Sequence, residues 1–276
     1  MKFLHRIGLR ASPAQRRELE ALDLKVPAGI VLPGGGDPLL AFDVDEDHPN
    51  WEALATRFQK WNASDLLRTE FSKKELGAAE WLQLVSDWHH GYPQPDDGRF
   101  GYRNVTYDLT DWCEQCGVGM KQKAPFQMEG EPRWGKNDIL QLNWVFDEYF
   151  VTPETWSSVF RPHGIGCRPV TDTNGVELKT VVQVVIEEDV GIVTGTLPSE
   201  RCAKCGWLKY LPVTRGPFPP LTGKPSHAMV RTREYFGSGG VAYKPVLISQ
   251  EIARSLTAAK VRGASVKPVQ SVVNAP

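Results

Sequence analysis

Cys113-Glu114-Gln115-Cys116-Gly117 returns later in the chain as Cys202-Ala203-Lys204-Cys205-Gly206. Two thiolates three positions apart reach one ion from a tight turn. The glycine that follows takes up positive φ and lets backbone amides face sulfur. Two such turns supply the four thiolates of a tetrahedral site, so Cys113, Cys116, Cys202 and Cys205 are the expected ligands of one structural Zn2+ per chain. Four thiolates also suit an iron–sulfur cluster. A pair of redox CxxC motifs is disfavoured, because Gly117 and Gly206 would interrupt the helix that such a motif opens. The shell is full without histidine, and there is no HExxH or HxE…PCxxC pattern, so a catalytic zinc is not expected.

The insertion between Cys116 and Cys202 is long for a simple ribbon, and a duplicated domain accounts for it. After the first knuckle come Phe150 to Phe160, a strand entering a Thr152-capped helix, and Cys167-Arg168-Pro169-Val170. After the second come Leu247 to Leu256, with Ser249 as the cap, and Val266-Lys267-Pro268-Val269. The related halves are expected at about 105–170 and 195–270, within a double-CxxCG domain over 91–276. Between them, Leu140 to Phe146 alternates as a strand does, and Thr180 to Ile186 is rich in β-branched residues. Leu211 to Pro225 carries five prolines and reads as a loop wrapping the domain.

Upstream, residues 1–90 predict a ferredoxin-like βαββαβ unit. Its strands are expected at Phe3–Leu9, Val26–Leu32, Leu39–Val44 and Leu66–Phe71. Ser12, Pro13 and Gln15 form a capping box for the first helix, and Trp51, Leu54, Phe58 and Trp61 recur at helical spacing in the second. Ser72-Lys73-Lys74-Glu75 is a further capping box, expected to open a helix running toward Asp87. The turn-rich stretch from His89 to Gly98 is the expected domain boundary. The fold class is thus α+β: a ferredoxin-like unit followed by a duplicated mixed α/β domain with a four-cysteine zinc-knuckle site.

The chain has 276 residues, with 32 Lys+Arg against 33 Asp+Glu, a balance that argues against a polybasic nucleic-acid binder. No apolar run approaches a membrane span, and Lys2, Arg6 and Arg10 interrupt any secretion-signal core, so a cytoplasmic protein is expected. Other candidates read as structural. Cys167, near His163, reads as a lone apolar cysteine. His89 and His90, beside Tyr92, Asp96 and Asp97, read as an exposed turn. Asp147-Glu148 and Glu187-Glu188-Asp189 read as solvated acidic faces. Gly34 to Gly36 lack the Lys-Ser/Thr of a phosphate loop.

Over about residues 105–270 the chain resembles the double-CXXCG family of myxobacterial immunity proteins. The matching residues are Cys113 to Gly117, Cys202 to Gly206, Glu234-Tyr235-Phe236-Gly237-Ser238-Gly239, Ile248-Ser249-Gln250 and Arg262-Gly263. The resemblance implies a zinc-stabilised, non-catalytic protein that neutralises a cognate toxin by stoichiometric binding. The N-terminal unit lies outside it. Tyr235, Phe236, Gly237, Ser238 and Gly239 are the expected partner-binding residues, since their glycine-rich turn is anchored by the strand and helix that follow. Nine tryptophans suit such an interface. The alternative is a zinc-ribbon nucleic-acid-binding protein, although no strand shows the basic–aromatic pattern of an RNA-binding sheet.

Overall fold

A computed structural model describes residues 1–96, 100–195 and 197–271. Asp97 and Gly98 of the turn-rich stretch lie outside the described residues. The protein is a mixed α+β chain of two compact units: Met1–Glu75 with Val213–Pro217, and Leu76–Pro212 with the chain from Phe218 onward.

In the first unit, β1 (Lys2–Arg10), α1 (Pro13–Glu20), β2 (Leu39–Asp45), α2 (Trp51–Lys60) and β3 (Ser64–Glu70) follow in order. The sheet runs β2-β1-β3, antiparallel throughout. Alternation along β1 buries Ile7 and Leu9, which pack with Leu19, Phe42, Leu54 and Phe58 into one core. The expected capping box forms: the Ser12 hydroxyl accepts from the Gln15 N–H, and the Gln15 side chain accepts from the Ser12 N–H. The expected strand over 26–32 is reduced to a single bridge between Ile30 and Leu39. Pro27 removes a ladder donor and Gly29 sits at φ 82°, so the segment cannot stay in register. Ile30 and Val31 are accordingly exposed. With β1 central, the order is compatible with the ferredoxin-like plan. Residues 213–217 complete this unit: the Thr69 hydroxyl donates to the Thr214 carbonyl at 2.9 Å and accepts from the Gly216 N–H at 2.8 Å.

The division between units falls at Glu75, not near residue 90. Ser72 and Glu75 do cap each other, but α3 (Lys73–Ala78) stops after six residues. Trp81–Ser86 is then a strand, β4, with Leu82 and Leu84 buried beneath it. β4 belongs to the second unit because strands from the far end of the chain hold it on both sides. It pairs antiparallel with Val246–Ser249 and with Ala264–Pro268. Beyond Val246–Ser249 the five-stranded sheet continues through Met229–Thr232 to Glu188–Val190.

A four-stranded sheet joins Ile139–Leu140, Phe150–Val151, Glu177–Val184 and Cys167–Thr171, in that order. It repeats a local topology of the five-stranded one. In each, a strand leads into a capped helix and out to a second strand, with one antiparallel strand between the two: Glu177–Val184 in the first case, β4 in the second. Thr152 and Ser249 cap the two helices. Val159, Phe160, Ile252 and Leu256 from these helices share one core. The expected strand over 140–146 ends at Leu140, since the chain turns at Trp144, which has φ 68°. No helix among the described residues is long and apolar enough to cross a membrane.

Candidate metal centre

Each CxxCG forms the tip of an antiparallel hairpin. Tyr107–Asp108 pairs with Lys121–Gln122 around the first, and Ser199–Arg201 with Leu208–Tyr210 around the second. The turns are closed alike. The Gly117 N–H donates to the Cys113 carbonyl at 2.7 Å, and the Gly206 N–H to the Cys202 carbonyl at 2.9 Å. The Cys113 N–H donates to Val118 and the Cys202 N–H to Trp207. Gly117 and Gly206 sit at φ 82° and 77°, the region glycine enters at no steric cost. At Gly117 a side chain is excluded twice over, because a Cβ would lie 2.5 Å from the Gly240 carbonyl oxygen.

The hairpins bring equivalent cysteines face to face. Cys113 Sγ lies 3.8 Å from Cys202 Sγ, and Cys116 Sγ 3.6 Å from Cys205 Sγ. All four sulfurs fall within 4.8 Å of one another. Bonds of ~2.3 Å directed tetrahedrally set sulfurs about 3.8 Å apart, whereas a disulfide needs ~2.05 Å. The set therefore has the dimensions of a four-thiolate cage and could hold a metal ion. The amides of Cys205 and Lys204 face the Cys202 sulfur and draw its thiol down to about 6; the Cys116 and Gln115 amides lower Cys113 in the same sense. Burial pushes Cys116 up to about 12. Bound metal would oppose that penalty, because ligation requires the thiolate.

Lys209, on the second hairpin, is 2% exposed. Its ammonium donates to the carbonyls of Cys116, Gly239 and Val241 at 3.0, 2.6 and 2.9 Å. A buried ammonium is costly unless its donors are used, and here all three are. Lys209 thereby ties the first knuckle to the 238–241 loop, and its charge would offset the net −2 of a divalent ion held by four thiolates.

Of the expected partner-binding residues, only Ser238 and Gly239 are exposed. Phe236 is 1% exposed, packed between the rings of Tyr210 and Phe218, and cannot meet a partner. Gly237, also buried, has φ 120° and makes the turn onto Val241. Tyr235 is half-buried against the cysteine cluster. This segment thus packs beside the cysteine cluster, and its side chains form no continuous docking face.

Cys167 is half-buried on the strand Cys167–Thr171, its thiol pushed up by burial, while His163 Nε2 lies 3.0 Å from the Ser255 hydroxyl. His90 stacks on Trp88 at 5.0 Å, and His89 stands edge-on to Phe146. Asp147-Glu148 is not a solvated face, since Glu148 is 6% exposed and ion-paired with Arg231 at 2.6 Å. No family model matches the chain, and no curated protein matches it.

Proposed function

We propose that the protein is a zinc-stabilised, non-catalytic binding protein of the cytoplasm, an immunity protein that neutralises a cognate toxin by stoichiometric binding. The observation that carries this reading is the closed cysteine cage. A tetrahedral ion held there would have all four positions filled by protein sulfur, with none left for water or substrate. Such an ion contributes folding free energy and joins two segments that are distant in sequence. The resemblance of residues 105–270 to the double-CXXCG family supplies the partner class.

The test combines metal analysis with co-expression. Purified protein should hold one zinc per chain, and affinity capture from the native cell should recover a toxin in 1:1 ratio. Co-expression should then rescue growth in proportion to the amount of the protein. Iron in place of zinc, or rescue at substoichiometric levels, would overturn the reading. A gel shift that weakens steeply between low and high salt would favour a nucleic-acid-binding ribbon instead.

A further inference from the structure

The two knuckles share a turn geometry but not an environment. The first is clamped. Cys113, Cys116, Gly117 and Val118 are all buried. The Cys116 carbonyl accepts from the Lys209 ammonium, and a Cβ on Gly117 would meet the Gly240 carbonyl oxygen at 2.5 Å. The second knuckle is open. Ala203 to Trp207 is exposed throughout, and a Cβ on Gly206 would meet nothing within 4 Å. One cysteine of the cage, Cys205, is therefore exposed, on a tip that has room to move, while the other three are buried. Arg201 brings its guanidinium to the next residue, donating to the Gly206 carbonyl at 2.7 Å.

The sulfur that Cys205 faces belongs to the clamped knuckle. Cys116 Sγ is 3.6 Å away on a side chain only 3% exposed, whereas Cys202 faces Cys113 at 3.8 Å. Oxidant reaches an exposed thiolate first, and a second sulfur within a short side-chain movement traps the product as a disulfide. Cys205 has the access, and Cys116 has the position to resolve it.

We propose that the cysteine cage is a redox-sensitive switch that releases its metal to hydroperoxides, with Cys205 as the point of attack and Cys116 as the resolving thiol. The Cys205 thiolate attacks the peroxide. An S–O bond forms, the O–O bond breaks, and the leaving oxygen takes a proton and departs as water or an alcohol. The Cys116 thiolate then attacks the sulfenic sulfur. The S–S bond forms, the S–O bond breaks, and the oxygen takes a proton and leaves as water. Two electrons have passed from two thiolates to one peroxide. The cage, reduced to Cys113 and Cys202, lets its ion go. The hairpins stay joined by the new covalent bond, and a dithiol reductant with fresh metal restores the starting state. The inference rests on the zinc reading of the cage and not on the class of partner.

The test uses the full-length, reduced, zinc-loaded protein. Hydrogen peroxide is added in the presence of a chromophoric chelator, and the cysteines are mapped by alkylation and peptide mass spectrometry. One ion should be released per peroxide consumed, with a Cys116–Cys205 link as the product. A sulfenic-acid trap added with the peroxide should label Cys205 first. Cys205→His keeps four ligands and should slow peroxide-driven release tenfold or more, while Cys167→Ala should leave it unchanged. Should Cys205→His fail to load metal, the trapping and mapping on the native chain decide. Metal retained under peroxide, first labelling at Cys113, Cys202 or Cys167, a Cys202–Cys205 link, or release from Cys205→His at the native rate would overturn the switch. Protein that holds no zinc before peroxide is added overturns the switch together with the zinc reading; zinc that is present but insensitive overturns the switch alone.

Discussion

Lys209 and the four cysteines carry most of the consequence at the scale of single residues. Replacing Lys209 with Met leaves the carbonyls of Cys116, Gly239 and Val241 without their donor. We expect a loss of about 2–4 kcal/mol in urea unfolding, with faster release of metal to a chelator. Cys113→Ser or Cys205→Ser opens the cage and should abolish stable metal binding, whereas Cys167→Ala should cost no more than ~1–2 kcal/mol with metal content unchanged. Equal metal loss from all three would overturn the ligand assignment. The cysteines were legible because thiolate spacing and a closing glycine are local requirements. Lys209 was not. In Leu208-Lys209-Tyr210 strand alternation points the lysine outward on hydropathy grounds, yet the burial is reversed so that Nζ reaches three carbonyls contributed from elsewhere. Asp147 and Glu148 misled in the same way, since adjacent acids read as solvated until Arg231 arrives from the other half of the domain.

Elements were legible where their signals are local. The Ser12, Thr152 and Ser249 caps all accept the expected backbone N–H. Three elements departed, each for a backbone reason or a distant partner. Pro27 and Gly29 undo the strand over 26–32, Trp144 turns the chain that alternates from Leu140, and β4 replaces the helix expected toward Asp87. That last strand takes its stability from Val246–Ser249 and Ala264–Pro268, so no window around residue 84 could have foretold it. Leu84→Ala should cost about 2–4 kcal/mol. It should also speed amide exchange in those two distant strands, a result that a helical 81–86 would not give.

At the scale of the whole molecule, the chain passes between its units at Glu75, Pro212 and Pro217. Arg215, on the middle excursion, pairs with Glu46, while His5 presents one ring nitrogen to Glu46 at 2.8 Å and the other to Asp65 at 2.8 Å. The Arg215 guanidinium, followed by His5, holds the Glu46 carboxyl at about 2, below its ordinary 4.5. The sign follows from that depression: the stabilisation is complete above pH 4.5 and is lost as pH falls toward 2. Arg215→Gln should therefore lower urea stability at pH 6 and make little difference near pH 2, and an equal loss at both would exclude the pair as the cause. This excursion explains why the domain boundary was only partly legible, since a contiguous cut cannot describe a unit completed by residues 213–217. The interlacing also fixes an order of manufacture. At ~5–20 residues per second, Cys113 and Cys116 leave the ribosome on the order of ten seconds before Cys202. β4 waits longer still for the two strands that flank it. A nascent chain thus carries half a cage until Cys205 emerges, and an apolar strand without either neighbour until Val246–Ser249 follows, an interval in which that strand is exposed to wrong pairings.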